Sequence, residues 1–214
     1  MNIAIADIRR DYKLQSLNEA DVATNPIEQF TTWWNEAIGS NIDEVNAMTL
    51  ATATTDGKPS SRIVLLKGYT EAGFTFFSNY NSHKGQQIAN NPFVALVFFW
   101  KELERQIRIE GSIEKLNDVD SDAYFKSRPT GSKIGAWSSP QSSVIPNRQV
   151  LEQNEQQFKK QFGETIPRPE HWGGYIVKPN LIEFWQGRSS RLHDRIEYTK
   201  NKITDNWQIR RLAP

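Results

Sequence analysis

Cysteine is missing from this 214-residue chain. That absence removes a disulfide framework, a thiolate nucleophile and thiolate metal ligation together. Any redox chemistry therefore has to come from a bound cofactor. Histidine is sparse, and His83, His171 and His193 stand far apart with no HxxxH, HExxH or Cys/His spacing, so no metal constellation emerges. There is no glycine-rich Rossmann or phosphate-loop fingerprint, and no serine sits in a nucleophile elbow. Long apolar runs are also lacking: the longest, Phe93 to Trp100, is eight residues and cannot span a bilayer. The N-terminal sequence has no basic stretch followed by an apolar one, so no signal peptide is read and the cytoplasm is expected. Neither charge sign dominates, with Lys+Arg 26 against Asp+Glu 25, which argues against nucleic-acid or membrane binding driven by bulk charge.

What the chain does have is organised around Ser61-Arg62-Ile63-Val64-Leu65-Leu66-Lys67. Apolar residues between an arginine and a lysine predict a buried strand with a cation at each end. Side chains alternate along a strand, so two residues five apart face opposite sides, a geometry suited to two anionic groups. Two surface charges flanking a core strand is the plainer alternative.

Upstream, residues 1–24 read as a flexible arm, with Arg9-Arg10-Asp11-Tyr12 its only dense cluster. Asn25 as cap, Pro26 at the first helical position and Glu28 three residues after the cap predict a helix that Gly39 closes. Ile27, Phe30, Trp34 and Ile38 would form its apolar stripe. Strands follow over Met48–Thr54 and Pro59–Lys67, joined by a turn at Thr55-Asp56-Gly57, and over Phe74–Asn79. A short helix capped by Ser82 carries His83 and Lys84 in its first turn, where cations oppose the helix dipole unless an anion sits there.

Phe93–Trp100 and Gln106–Leu116 are expected to be strands, and Asp118–Ser127 a helix stopped by Arg128-Pro129. Residues 130–147 read as a long Gly-, Ser- and Pro-rich loop. Arg148–Phe162 reads as a helix, and strands are expected over Trp172–Val177, Leu181–Trp185, Arg195–Tyr198 and Trp207–Leu212. Seven or eight strands joined mostly by short turns imply antiparallel pairing and a closed or partly closed barrel. The expected fold class is α+β, with one domain over residues 25–214.

Basic and hydroxyl groups collect near strand ends: Arg62, Lys67, Ser78, Ser82, Lys84, Tyr124, Arg128, Ser132, Gln141, Ser142, Arg191, His193 and Arg195. Guanidinium, ammonium and hydroxyl groups around an uncharged core suit phosphate recognition. Arg191 and His193 are two apart, so on a strand they would share a face and aim a cation and an imidazole at one point.

Arg62-Ile63-Val64-Leu65-Leu66-Lys67, Ser127-Arg128-Pro129, Ile134-Gly135-Ala136-Trp137, Gln141-Ser142-Ser143, Phe184-Trp185-Gln186-Gly187, Arg191-Leu192-His193-Asp194-Arg195 and Arg211-Leu212-Ala213-Pro214 resemble, in order, the pyridoxine (pyridoxamine) 5′-phosphate oxidases. That resemblance implies an antiparallel FMN-binding split barrel and a homodimer whose flavin sites lie at the subunit interface. It implies FMN contacts from Arg62, Ile63, Val64, Leu65, Lys67, Phe77, Ser78, Ser82, His83, Lys84, Gln106, Gln141, Ser142, Trp185 and Arg195. Lys84 would take the FMN phosphate. Substrate phosphate would meet Lys67, Tyr124, Arg128 and Ser132, with Arg191 and His193 at the reacting carbon and Arg9, Arg10 and Tyr12 in a covering segment. His83 stands where the family often has arginine, and Gly187-Arg188-Ser189-Ser190 departs from the commoner loop. The implied reaction converts pyridoxine 5′-phosphate or pyridoxamine 5′-phosphate to pyridoxal 5′-phosphate with O2. A flavin-storing split barrel and a nicotinamide-dependent flavin reductase are the alternatives, and neither needs the Arg191/His193 pair.

Overall fold

The computed structural model describes residues 5, 11–201 and 203–214. Arg9 and Arg10 lie outside the described residues. Helix α1 runs Pro26–Gly39, with Asn25 accepting the Ile27 N–H as expected of a cap, a contact worth about 1 kcal/mol. Its buried face is Ile27, Phe30, Trp33 and Ala37. Ile38, expected on that face, is instead exposed, because Trp33 and Ala37 complete an i, i+3, i+7 stripe from Phe30.

Strands β1 (Ala47–Ala53) and β2 (Pro59–Leu65) flank the expected turn, and a short β3 (Gly68–Thr70) precedes β4 (Gly73–Asn79). Helix α2 (His83–Asn90) starts at Ser82, whose hydroxyl accepts the Gly85 N–H. Strands β5 (Phe93–Trp100) and β6 (Arg105–Lys115) lead to α3 (Asp118–Ser127), α4 (Thr130–Ser138) and α5 (Gln149–Phe162). The chain then forms β7 (Trp172–Gln186), β8 (Asp194–Lys200) and β9 (Trp207–Arg211).

The sheet order is β2-β1-β5-β6-β7-β4-β3, with β8 on β7 and β9 on β8. The register given for β4, β7, β8 and β9 is antiparallel throughout, in keeping with the α+β split-barrel class. Two strands expected around Pro179-Asn180 are one. Residues Trp172 to Val177 pair with β4 and Leu181 to Gln186 with β8, so Pro179 falls between two ladders where no N–H is required.

The chain makes two compact units. The first draws on the described part of Met1–Thr49 together with Ala95–Glu110 and Pro179–Pro214. Its core is aromatic: Trp33 meets Phe184 edge-on at 5.2 Å, and Phe30 meets Phe98 at 5.5 Å. Each such ring contributes roughly 1.5–3 kcal/mol through burial. The second draws on Leu50–Val94 and Gly111–Lys178. There Phe125, Ile134, Ile166 and Trp172 are buried, with Phe77, Tyr124, Trp137, Phe158 and Phe162 packed on them.

Two expectations fail here. Residues 130–138, read as loop, are helix α4, which buries Ile134 and sets Trp137 against Phe162 at 4.8 Å on α5. Strand β2 is not buried. It stands at an edge of the sheet, with Ile63 64% and Leu65 36% exposed.

Candidate active site

The edge position of β2 explains the first cluster, which lies wholly in the second unit. A cavity of about 670 Å³ is lined by Arg62, Ile63, Val64, Leu65 and Lys67 from β2 and its exit. Phe77 and Ser78 join from β4, Lys84 from α2, and Tyr124, Arg128, Ser132 and Gln141 from the segment after β6. Arg62 and Lys67 thus share one cavity instead of facing apart. The strand ends at Leu65, so alternation does not reach Lys67, and an edge strand offers both faces to a ligand. Asn79, Pro129 and Trp172 also line it and were not foreseen.

The lining, among the described residues, holds four cationic side chains and no carboxylate. Lys84 is buried, and among the described residues its Nζ donates to hydroxyls, Ser78 Oγ at 3.0 Å and Ser82 Oγ at 3.2 Å. Burial, with the Arg62 charge adding to it, pushes the Lys84 ammonium down to about 8. Arg62 donates to Thr52 Oγ1 at 2.6 Å and Ser60 Oγ at 2.8 Å. Ser60 Oγ in turn donates to the buried Gln87 Oε1 at 2.7 Å, which fixes the guanidinium from behind. Burial also lowers Arg62 and Arg128 from the ordinary arginine value, the neighbouring Tyr124 opposing it at Arg128. Arg128 lies 4.4 Å over the Trp172 ring, and its buried Nη1 has no hydrogen-bond partner among the described residues. A buried donor without an acceptor costs about 1–3 kcal/mol, so this cavity is built to receive anions. Tyr124 stacks on Phe77 at 3.8 Å, giving it an aromatic wall.

His83 is exposed at the start of α2 and does not line the cavity; Ser82 acts there as cap and Lys84 acceptor. Ser142 is exposed in a left-handed conformation, φ 72°.

The remaining site residues belong to the first unit. Trp185 packs on His193 at 4.6 Å, and Tyr12 meets Trp185 edge-on at 5.8 Å. Tyr12 sits against Gly187, where an added Cβ would come within 2.7 Å of its ring. The segment around Tyr12 is tied down: Lys13 and Leu14 N–H groups donate to Glu104 Oε2 at 2.8 and 3.1 Å. Arg191 and His193 do not alternate on a strand, because β8 begins at Asp194 and Arg191 ends a 3-10 turn with φ 61°. They are still electrostatic neighbours: burial first, then the Arg191 charge, lower the His193 imidazole, with Asp194 opposing.

Arg195 donates to the buried Glu183 Oε1 at 2.7 Å, and Arg108 donates to Glu183 Oε2 at 2.6 Å. Burial raises the Glu183 carboxyl, but bonds from Arg195 and Arg108 outweigh it and hold the group below its usual range. Gln106 is half-buried on β6. Glu183 was missed, although an acid between Ile182 and Phe184 in a strand is a signal that can be read.

Comparison with known proteins gives the class. The family model "Pyridoxamine 5'-phosphate oxidase" matches residues 35–162, and "Pyridoxine 5'-phosphate oxidase C-terminal dimerisation region" matches residues 172–214. The chain belongs to the pyridoxamine 5′-phosphate oxidase family. It is 57% identical over 210 residues to a pyridoxine/pyridoxamine 5′-phosphate oxidase of Cupriavidus necator, covering 98% of this chain and 99% of that one. The corresponding protein of Trichormus variabilis is 55% identical, with full coverage of both chains (100% and 100%). Among solved structures, PhzG from Burkholderia lata, in complex with tetrahydrophenazine-1-carboxylic acid, superposes with a TM-score of 0.88 at 28% identity. That match covers 94% of this chain and 99% of PhzG. An FMN-binding protein of Nostoc punctiforme shares the fold, with a TM-score of 0.70 at 16% identity over 90% of this chain and 100% of that one. No helix among the described residues is long and apolar enough to cross a membrane, and no group of His, Cys, Asp and Glu there could hold a metal.

Proposed function

We propose that this protein oxidises pyridoxine 5′-phosphate and pyridoxamine 5′-phosphate to pyridoxal 5′-phosphate, with FMN as cofactor and O2 as final acceptor. The observation that carries this is the carboxylate-free cavity with four cations. Flavin and substrate each bring one phosphate, and Lys84, Arg62, Lys67 and Arg128 match two such groups in charge. The residues present also fit the rest of the flavin: Ile63 and Leu65 offer exposed apolar surface, and Tyr124 on Phe77 offers a ring face. Bound FMN would supply the hydride acceptor for the C4′ carbon and the route of its electrons to O2.

The protein's own part is position and charge. Lys84 holds the FMN phosphate, while Lys67, Tyr124, Arg128 and Ser132 hold the substrate phosphate and so set the distance of C4′. Arg191 orients the substrate ring and His193 contacts its polar substituents, with Tyr12 covering them. For the alcohol the balance is one O2 consumed and one H2O2 formed; the amine also takes up water and releases ammonia.

Purified protein should be yellow, consume O2 on addition of pyridoxamine 5′-phosphate, and form pyridoxal 5′-phosphate in equal amount. Flavin-loaded protein that consumes no O2 with either vitamer would sink this reading and favour flavin storage or reduction. The match of residues 172–214 to a dimerisation region supports a homodimer with shared flavin sites. Dilution to monomer should then release FMN, and sedimentation detected at flavin wavelengths tests it: flavin travelling with a monomer-sized species contradicts sharing. The same reading places the enzyme in the cytoplasm, which fractionation of cells expressing it checks.

A further inference from the structure

The loop Gly187-Arg188-Ser189-Ser190, set apart in sequence but given no role above, touches the imidazole. The backbone N–H of Arg188 donates to His193 Nδ1 at 3.1 Å. A ring nitrogen that accepts an N–H carries no proton of its own, and a backbone N–H cannot reverse its role as a hydroxyl or water could. Among the described residues no protein group takes up Nε2, which leaves that position for a ligand.

From this geometry we propose that His193 is held as the neutral Nε2–H tautomer and serves the bound substrate as a hydrogen-bond donor, not as the base that takes the proton from the C4′ amine or hydroxyl. The donor role rests on the substrate reading above; the tautomer does not.

The loop is built for this contact. Ser190 (φ 57°) and Arg191 (φ 61°) are consecutive non-glycine residues in the left-handed region, a conformation that persists only where its surroundings impose it. The Leu192 N–H closes the turn on Ser189 O at 3.1 Å, which brings residue 188 back over residue 193. Trp185 packs on one side of the ring at 4.6 Å and the Tyr12 edge lies at 6.1 Å, so both the chain before the turn and the N-terminal segment confine it.

Of the groups around the ring, the Arg188 N–H and the Arg191 charge favour the neutral form. Protonation at Nδ1 would set an N–H against the Arg188 N–H, and Arg191 repels the added charge. Asp194 is the opposing group, but its carboxylate is already engaged by the Leu17 N–H at 3.1 Å, Arg211 at 2.8 Å and Arg188 at 3.5 Å. Tyr12 contributes its ring to this contact. A donor at Nε2 suits an oxygen or nitrogen lone pair on the substrate, such as its phenolic oxygen. The proton lost from the C4′ amine or hydroxyl must then pass to water or to a group of the substrate.

The test begins with ligand-free protein labelled with 15N-histidine. Long-range 1H–15N correlation at pH 8 should give His193 a protonated Nε2 and a pyridine-like Nδ1. A proton on Nδ1, or a mixture of tautomers, overturns the proposal. Arg188→Ala keeps the backbone donor and should keep the tautomer, whereas a change of tautomer there would overturn it. The second arm is the pH profile of flavin bleaching by pyridoxamine 5′-phosphate without oxygen. A base at His193 would give a tenfold fall per pH unit below its titration midpoint, a limb lost in His193→Asn. The expected result is the same profile shape in parent and variant, with a lower plateau in the variant. A limb present only in the parent overturns the donor role. No bleaching with either vitamer overturns the substrate reading, and the donor role with it, while the tautomer stands on its own spectrum.

Discussion

Lys84 shows how one residue couples fold, ligand and pH. Its ordinary value is 10.5, and in the ligand-free fold burial and Arg62 bring it to about 8. The charged ammonium therefore costs the fold nothing above 10.5; the cost grows as pH falls through the window between, and is complete below about 8. A bound phosphate raises the group again. Affinity for FMN should be full just below pH 8 and fall with rising pH, by up to about tenfold per unit, until the bound form titrates. Flavin fluorescence titrations from pH 7.5 to 10 measure this, and a flat affinity would take Lys84 out of contact with the phosphate. Lys84→Ala should weaken FMN by about one to two decades, the worth of a charge-assisted hydrogen bond. Glu183 is the opposite case, a buried acid whose two arginine partners satisfy it. Glu183→Gln leaves Arg195 short of a counter-charge while Arg108 keeps Glu110, and with both arginines partly exposed the loss should stay below the roughly 3–5 kcal/mol seen when one partner of a buried pair is removed. Urea unfolding of parent and variant would show it, and equal midpoints would mean that Glu110, already paired with Arg108, and Glu197 beside Arg195 suffice as counter-charges.

Among the elements, what was legible followed from local chemistry. Helix α1 announces itself through Asn25, Pro26 and Glu28, and α3 through the stop at Arg128-Pro129. Helix α4 has no side-chain cap and is rich in Gly and Ser; it stands on Trp137 packing against Phe158 and Phe162 of α5, a tertiary contact invisible in a local window. The Pro179-Asn180 break misled for the same reason, since only the pairing partners reveal that no N–H is needed there. The site followed a similar division. Arg62, Lys67, Lys84 and Arg128 could be picked out as cations, but their convergence depends on β2 being an edge strand, and Thr52, Ser60 and Gln87 behind Arg62 gave no sign. The turn after β7 offers a prediction at this scale. Gly187→Ala puts a methyl where the Cβ and Cγ of Tyr12 pack, so Tyr12 must move aside by about 1 Å together with its backbone. The variant should keep its FMN affinity, change overall stability by less than about 1 kcal/mol, and show a raised KM for pyridoxamine 5′-phosphate. An unchanged KM would mean Tyr12 is not part of the covering segment.

At the scale of the whole molecule, net charge is only +1, yet four cations face one cavity without an acid among them. The protein as a whole is nearly neutral while one part of it is a small ion exchanger. Before flavin arrives, any oxyanion in the medium can take that role, and each one bound only by the folded chain stabilises it by RT ln(1 + [L]/Kd). Flavin-free protein should therefore melt higher in phosphate or sulfate than in chloride at equal ionic strength, and the difference should shrink once FMN is saturating and vanish only when pyridoxal 5′-phosphate fills the second phosphate position as well. Equal melting in all three salts would mean the cations are solvated separately. The practical corollary concerns the buffer: a phosphate-based assay would compete with cofactor loading, so measured FMN affinities would record the anion composition of the tube as much as the protein.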